Sequence, residues 1–139
     1  MEMGIEKILW CKAGEGIAAC GKIPEESEIF QDHFPEFPVL PGVLALEMLK
    51  KTAEHYLREV HGDENEHYYL KQINSTKFHS YLRPGDAWES RLELIATEGR
   101  ETHWSAQLLS QGKVAVSAKI ILAPSHVPHD PVAPQRGKN

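Results

Sequence analysis

Between Val43 and Val60 the chain places apolar or small residues at Leu44, Ala45, Met48, Leu49, Thr52, Ala53, Tyr56, Leu57 and Val60, one continuous stripe at helical spacing. Lys50, Lys51, Glu54, Arg58 and Glu59 hold the opposite face. Pro41 suits the first helical turn, where its missing N–H costs nothing, and His61-Gly62-Asp63 supplies the stop. The other strongly patterned stretches of the body read as strands. Glu6–Cys11 and Ile17–Ile23 flank the turn Ala13-Gly14-Glu15-Gly16 as a hairpin. His67–Phe78, Ala87–Ala96 and His103–Leu122 follow, the last broken into two strands at Ser110-Gln111-Gly112-Lys113. In the second of these, Trp88, Ser90, Leu92 and Leu94 alternate with Glu89, Arg91, Glu93 and Ile95, the pattern of a half-buried strand. One helix cannot cover a parallel sheet on two faces, so the expected architecture is α+β, with an antiparallel sheet wrapped on the single long helix.

A chain of 139 residues fits one domain, and 41% hydrophobic with 25% charged residues is an ordinary globular balance. The expected domain is 1–123, followed over 124–139 by a proline-rich, extended tail in which His126 and His129 read as a solvated pair. A formal charge of −5 argues against binding nucleic acid through bulk positive charge. The first residues carry two acids and no long apolar run, so the expectation is a cytoplasmic protein without a leader. No run of apolar residues is long enough for a membrane helix. Cys11 and Cys20 lack zinc-ligand spacing and read as reduced, structural residues.

The unusual text is the segment from Ile29 to Glu47, which holds His33 in a stiff, apolar stretch with Pro35, Pro38 and Pro41 and leads into the helix that bears Glu47. A histidine titrates near neutrality and can take a proton. A carboxyl desolvated among Val43, Leu44 and Leu46 could give one, so the two form a base and acid pair. The helix N-terminus at Gly42 and Val43 adds free N–H groups that could hold a carbonyl oxygen as it becomes negative. The plainer reading of Glu47 is an i, i+4 ion pair with Lys51. His67, His79 and His103 read as packed or hydrogen-bonded side chains.

The spaced set Phe30-Gln31-x-His33-Phe34-Pro35, Pro38, Pro41-Gly42 and Glu47, with Phe78 and then Arg83-Pro84-Gly85-Asp86, resembles the signature of the FabZ-type 3-hydroxyacyl-acyl-carrier-protein dehydratases over roughly residues 8–122. That resemblance implies a hot-dog fold and a homodimer with shared active sites, in which His33 faces Glu47 of the partner protomer. A trimer of dimers is compatible with it. The implied reaction removes water from a (3R)-3-hydroxyacyl thioester of acyl carrier protein to give the trans-2-enoyl thioester, as in fatty-acid or related acyl-chain biosynthesis. His33 would take the C2 proton, Glu47 would protonate or orient the leaving hydroxyl, and the Gly42 N–H would hold the thioester carbonyl. The Val39 carbonyl would orient His33, and Phe34, Pro35, Val43, Leu46 and Phe78 would line the substrate. No cofactor, metal, nucleic acid or membrane is implied.

This sequence also has charges of its own at the site. Asp32 and Glu36 flank His33 and should favour its protonated form, while Lys50 and Lys51 follow the acid. An acidic carrier protein needs a basic rim, for which Lys71, Lys77 and Arg83 are the candidates, with Arg91 behind them. Two other functions fit the same residues: a thioesterase in which Glu47 or His33 activates water, and a non-catalytic acyl-binding homologue.

Overall fold

The helical stripe folds as predicted, and its caps follow from its ends. In the computed structural model, which describes residues 4–25, 39–62 and 66–125, helix α1 spans Gly42–His61. It begins after Pro41 and ends at Gly62, whose φ of 72° is left-handed and whose N–H donates to the Arg58 carbonyl at 2.8 Å. His33, Phe34 and Pro35, their neighbours Asp32 and Glu36, and the tail with His126 and His129 lie outside the described residues.

The strands are β1 (Lys7–Lys12), β2 (Gly16–Lys22), β3 (Tyr68–Phe78), β4 (Ala87–Glu98), β5 (Glu101–Ser110) and β6 (Lys113–Pro124). They form one antiparallel sheet in the order β1-β2-β4-β5-β6-β3. β1 and β3 are its two edges. The sheet with the long helix α1 laid on it is the hot-dog arrangement that the sequence resemblance implied. The alternation in β4 is as expected: Trp88, Ser90 and Leu92 are buried while Arg91, Glu93 and Ile95 are exposed. The run read as a plain strand from His67 to Phe78 is more irregular. β3 shifts register between Leu70 and Gln72 and again between Asn74 and Lys77, and Ser75 adopts a left-handed φ of 54°.

The buried face of α1, with Ala45, Met48, Leu49, Ala53, Tyr56 and Leu57, packs on Ile17, Trp88, Leu92, Trp104 and Leu108 of the sheet. Tyr56 meets the Trp104 ring edge-on at 5.0 Å, and its hydroxyl accepts the Gly14 N–H at 2.8 Å, tying the helix to the β1–β2 turn. That turn brings Gly16 against β4 so closely that a Cβ there would sit 2.1 Å from the Leu92 carbonyl oxygen. Only glycine fits.

Two hydroxyls are buried at the helix–sheet contact. Thr52 Oγ1 donates to the Met48 carbonyl at 2.9 Å and lies 2.7 Å from Ser90 Oγ, which leaves Ser90 to donate across the contact. The Ala19 carbonyl, at 3.4 Å, is a long alternative for Ser90. Thr52→Val should therefore cost about 1–3 kcal/mol in urea unfolding, because it strands the Ser90 hydroxyl. Adding Ser90→Ala should restore part of that loss. Losses that simply add would mean that the two hydroxyls act independently.

Candidate active site

The N-terminus of α1 is held open by its own approach. Pro41 precedes the helix with φ −58° and ψ 142°, no side chain caps the first turn, and no acid stands in it. The Pro41 carbonyl accepts from Leu44 at 3.0 Å and Ala45 at 3.2 Å. Among the described residues the N–H groups of Gly42 and Val43 have no partner, so two donors stand at the positive end of the helix dipole. These are the groups expected to bind a developing oxyanion.

The sheet fixes this terminus through the β3–β4 connection. Leu40 N–H donates to the Leu82 carbonyl at 2.7 Å, just before the helix begins. The turn Arg83-Pro84-Gly85-Asp86 is then clamped on both sides. Gly85 N–H reaches the Ile23 carbonyl at 2.8 Å, Ile23 N–H reaches that of Asp86 at 2.8 Å, and the Asp86 carboxylate accepts the Arg83 N–H at 2.8 Å. Asp86 is thus a brace of the turn. At the start of the same connection the Phe78 ring, 45% exposed, lies over Gly42; a Cβ on Gly42 would stand 2.9 Å from both Cε1 and Cζ. Gly42 and Phe78, singled out separately in the sequence, form one surface.

Glu47 lies on α1, but its surroundings differ from the expectation. Its side chain is 40% exposed and Val43 is 72% exposed, with Leu44 and Leu46 half-buried, so these apolar neighbours do not desolvate the carboxyl. Its ion-pair partner is Lys50 at 3.9 Å, not Lys51. Lys50, its side chain 20% exposed, is also 3.8 Å from Glu54. Val39 is half-buried beside the buried Leu40. His33, Phe34 and Pro35 fall outside the described residues.

The three candidate docking cations are not brought together. Lys71 is paired with Glu101, the first residue of β5, whereas Arg83 shares a groove with Ser110, the last. Those ends are roughly 30 Å apart along the strand. Lys77 pairs across from Ser117 on β6, and Arg91 is engaged by Glu89. The lysine that does join Arg83 is Lys113, in the β5–β6 turn, which sequence reasoning read only as a hairpin connection.

The remaining candidates are structural. Both cysteines are free, and burial, then the charge of Glu59, pushes the Cys11 thiol above its ordinary range. Among the described residues no cluster of His, Cys, Asp and Glu could hold a metal, and no helix is long and apolar enough to cross a membrane. Of the two roles expected for His103, packed or hydrogen-bonded, its Nε2 shows no hydrogen bond: it is buried, 3.9 Å from the Glu98 carboxylate.

The model of the ApeI-like family, described as ApeI dehydratase, matches residues 11–119. This chain belongs to the ApeI-like dehydratase family. It is 29% identical over 119 residues to the 3-hydroxyacyl-acyl-carrier-protein dehydratase FabZ of Oceanobacillus iheyensis, covering 86% of this chain and 85% of that one. It is 30% identical over 119 residues to the FabZ of Campylobacter hominis, covering 84% and 82%. The FabZ resemblance read from the motifs is therefore sound. Among solved structures, the dehydratase heterocomplex ApeI:P from Xenorhabdus doucetiae superposes with a TM-score of 0.71 at 13% identity, over 88% of this chain and 82% of that one. The fluoroacetyl-CoA-specific thioesterase FlK superposes with a TM-score of 0.68 at 17% identity, over 85% and 90%. At these identities both likenesses establish the fold alone.

Because the Phe78 ring is partly exposed and can swing aside, Gly42→Ala should cost less than about 1 kcal/mol of stability. It should nevertheless lower dehydration at least about ten-fold by displacing the ring from the helix terminus. Restoring part of that rate with a smaller residue, Phe78→Leu, in the same chain would identify the ring as the cause. Unchanged turnover by Gly42→Ala would remove Gly42 from the site.

Proposed function

We propose that this chain is a dehydratase of (3R)-3-hydroxyacyl thioesters carried on acyl carrier protein, giving the trans-2-enoyl thioester and water. The observation that carries the reading is the pair of N–H groups at Gly42 and Val43, without a partner among the described residues, on a helix that presents the Glu47 carboxyl just beyond its first turn. A thioester carbonyl seated there acidifies its C2 proton, because the oxygen becomes negative against fixed donors as that proton leaves. His33 takes the C2 proton, the C2 electron pair forms the new double bond, and the C3–O bond breaks. Glu47 gives the departing hydroxyl its proton, so atoms and charge balance. Val39 orients His33, and Phe34, Pro35, Leu46 and Phe78 bound the acyl chain.

The working unit in this reading is a homodimer. β3 is an edge strand with Tyr69, Ile73 and Phe78 exposed at 47%, 40% and 45%, and such an edge is a template for pairing. The family resemblance implies that in such a dimer His33 of one protomer faces Glu47 of its partner. A second chain of the same fold would fit the same edge, and the Xenorhabdus structure is a heterocomplex.

Intact-mass measurement on a panel of 3-hydroxyacyl carrier-protein thioesters tests the chemistry. The expected product is lighter by one water, with no free carrier thiol. His33→Ala and Glu47→Gln should each slow its formation by about 10²–10⁴. Release of thiol without loss of water would establish a thioesterase instead, and a fully active His33→Ala would take the base away from His33. Ile73→Asp should convert the dimer to a monomer in sedimentation and abolish turnover. An active monomer would refute the shared site.

A further inference from the structure

Three charged side chains lie along one ridge of α1. Lys50 Nζ stands 3.9 Å from a carboxylate oxygen of Glu47, at i−3, and 3.8 Å from one of Glu54, at i+4. Both separations are too long for a hydrogen bond, and they are nearly equal. The ammonium is therefore shared between two carboxylates and fixed to neither. Nor is this a fully solvated pair of the kind that contributes little: the side chains of Lys50 and Glu54 are only 20% and 13% exposed, against 40% for Glu47. A cation covered to that degree needs a counter-ion throughout. Lys51, the next residue, has no ion pair among the described residues.

The two carboxylates differ in what the reaction asks of them. In the dehydration Glu47 starts with its proton and ends as a carboxylate once the hydroxyl has left as water. Negative charge thus appears on Glu47 during the step itself, and an interaction that strengthens as that charge grows lowers the barrier. Glu54 gives up no proton, so it is the partner that Lys50 keeps while Glu47 is neutral. We propose that Lys50 is a positioning residue for the acid: it rests on Glu54, orients the Glu47 carboxyl, and closes on it as the leaving hydroxyl takes the proton. Its flexible four-carbon stem and compact ammonium allow that short movement. The transferred proton passes from Glu47 to the departing oxygen, and Lys50 keeps its own protons throughout. This assignment rests on the dehydratase reading above.

Steady-state dehydration of a 3-hydroxyacyl carrier-protein thioester by the full-length protein tests it. Lys50→Met should lower kcat at least about ten-fold while KM stays within about two-fold, and Lys50→Arg should recover most of the rate. Lys51→Met, the same change of charge one residue on, should leave both constants as they are. Because Lys50 acts only through the acid, Lys50→Met added to Glu47→Gln should lower the residual rate no further. Melting temperatures accompany each variant, and Lys50→Gln replaces Lys50→Met if the latter melts lower. The assignment is overturned if removal of the charge leaves kcat at the wild-type value or changes KM alone. An equal loss in Lys51→Met overturns it too, as does a loss that adds to that of Glu47→Gln. Failure of the dehydratase reading shows separately, as a wild-type protein that removes no water, and it takes this assignment with it.

Discussion

Leu49, Thr52 and Ala53 have no measurable exposure, and they sit on the one face of α1 that is pressed into the sheet. An antiparallel sheet of this size has one apolar face to cover, and among the described residues α1 is the helix that covers it, so this contact decides the rest. It is mostly nonpolar, which gives it strength without direction. Direction comes from the few polar groups within it: the Thr52–Ser90 pair and the Tyr56 hydroxyl on the β1–β2 turn. Buried polar groups must find partners, so a helix turned or slid from this position leaves them stranded. With the helix so fixed, its N-terminus can emerge only beside the end of β3, and Gly42 meets Phe78.

Legibility in the sequence followed the range of the interaction. The helix and the alternation in Trp88–Ile95 were plain, because burial on one face imposes a period on neighbouring residues. The bulges of β3 at Lys71 and at Ser75–Thr76 left no mark in composition: a residue that drops out of the ladder keeps its ordinary identity. The partner of Glu47 was misread for a related reason. Lys50 and Lys51 are both within reach on a helix, and Lys50 is the one that stands between two carboxylates of its own helix, Glu47 at i−3 and Glu54 at i+4. The grouping of Arg83 with Lys113 needed the register of β5 and β6, which a single sequence does not disclose.

The site motifs were readable for a different reason. Pro41-Gly42 and the Arg83-Pro84-Gly85-Asp86 turn are local devices whose residue types are dictated by backbone geometry: a proline before a helix, a left-handed glycine at φ 85°, an aspartate accepting a nearby N–H. Their meaning emerges only in space, where Leu40 and Ile23 anchor to the same connection. That connection carries no regular structure, yet six backbone hydrogen bonds and a carboxylate hold it in place.

Glu47 shows what one chain lacks. A carboxylic acid that protonates a leaving hydroxyl near neutral pH works best when desolvation favours its neutral form. Here its side chain is 40% exposed, its apolar neighbour Val43 is 72% exposed, and Lys50 stands 3.9 Å away. In the proposed reading the apolar cover for Glu47 comes from outside the helix, and both a second protomer joined at β3 and the acyl chain itself would supply it. The helix terminus would then bind a carbonyl with donors built by the backbone of one chain, whereas desolvation of the acid would come from the assembly, so that binding and chemistry would separate physically.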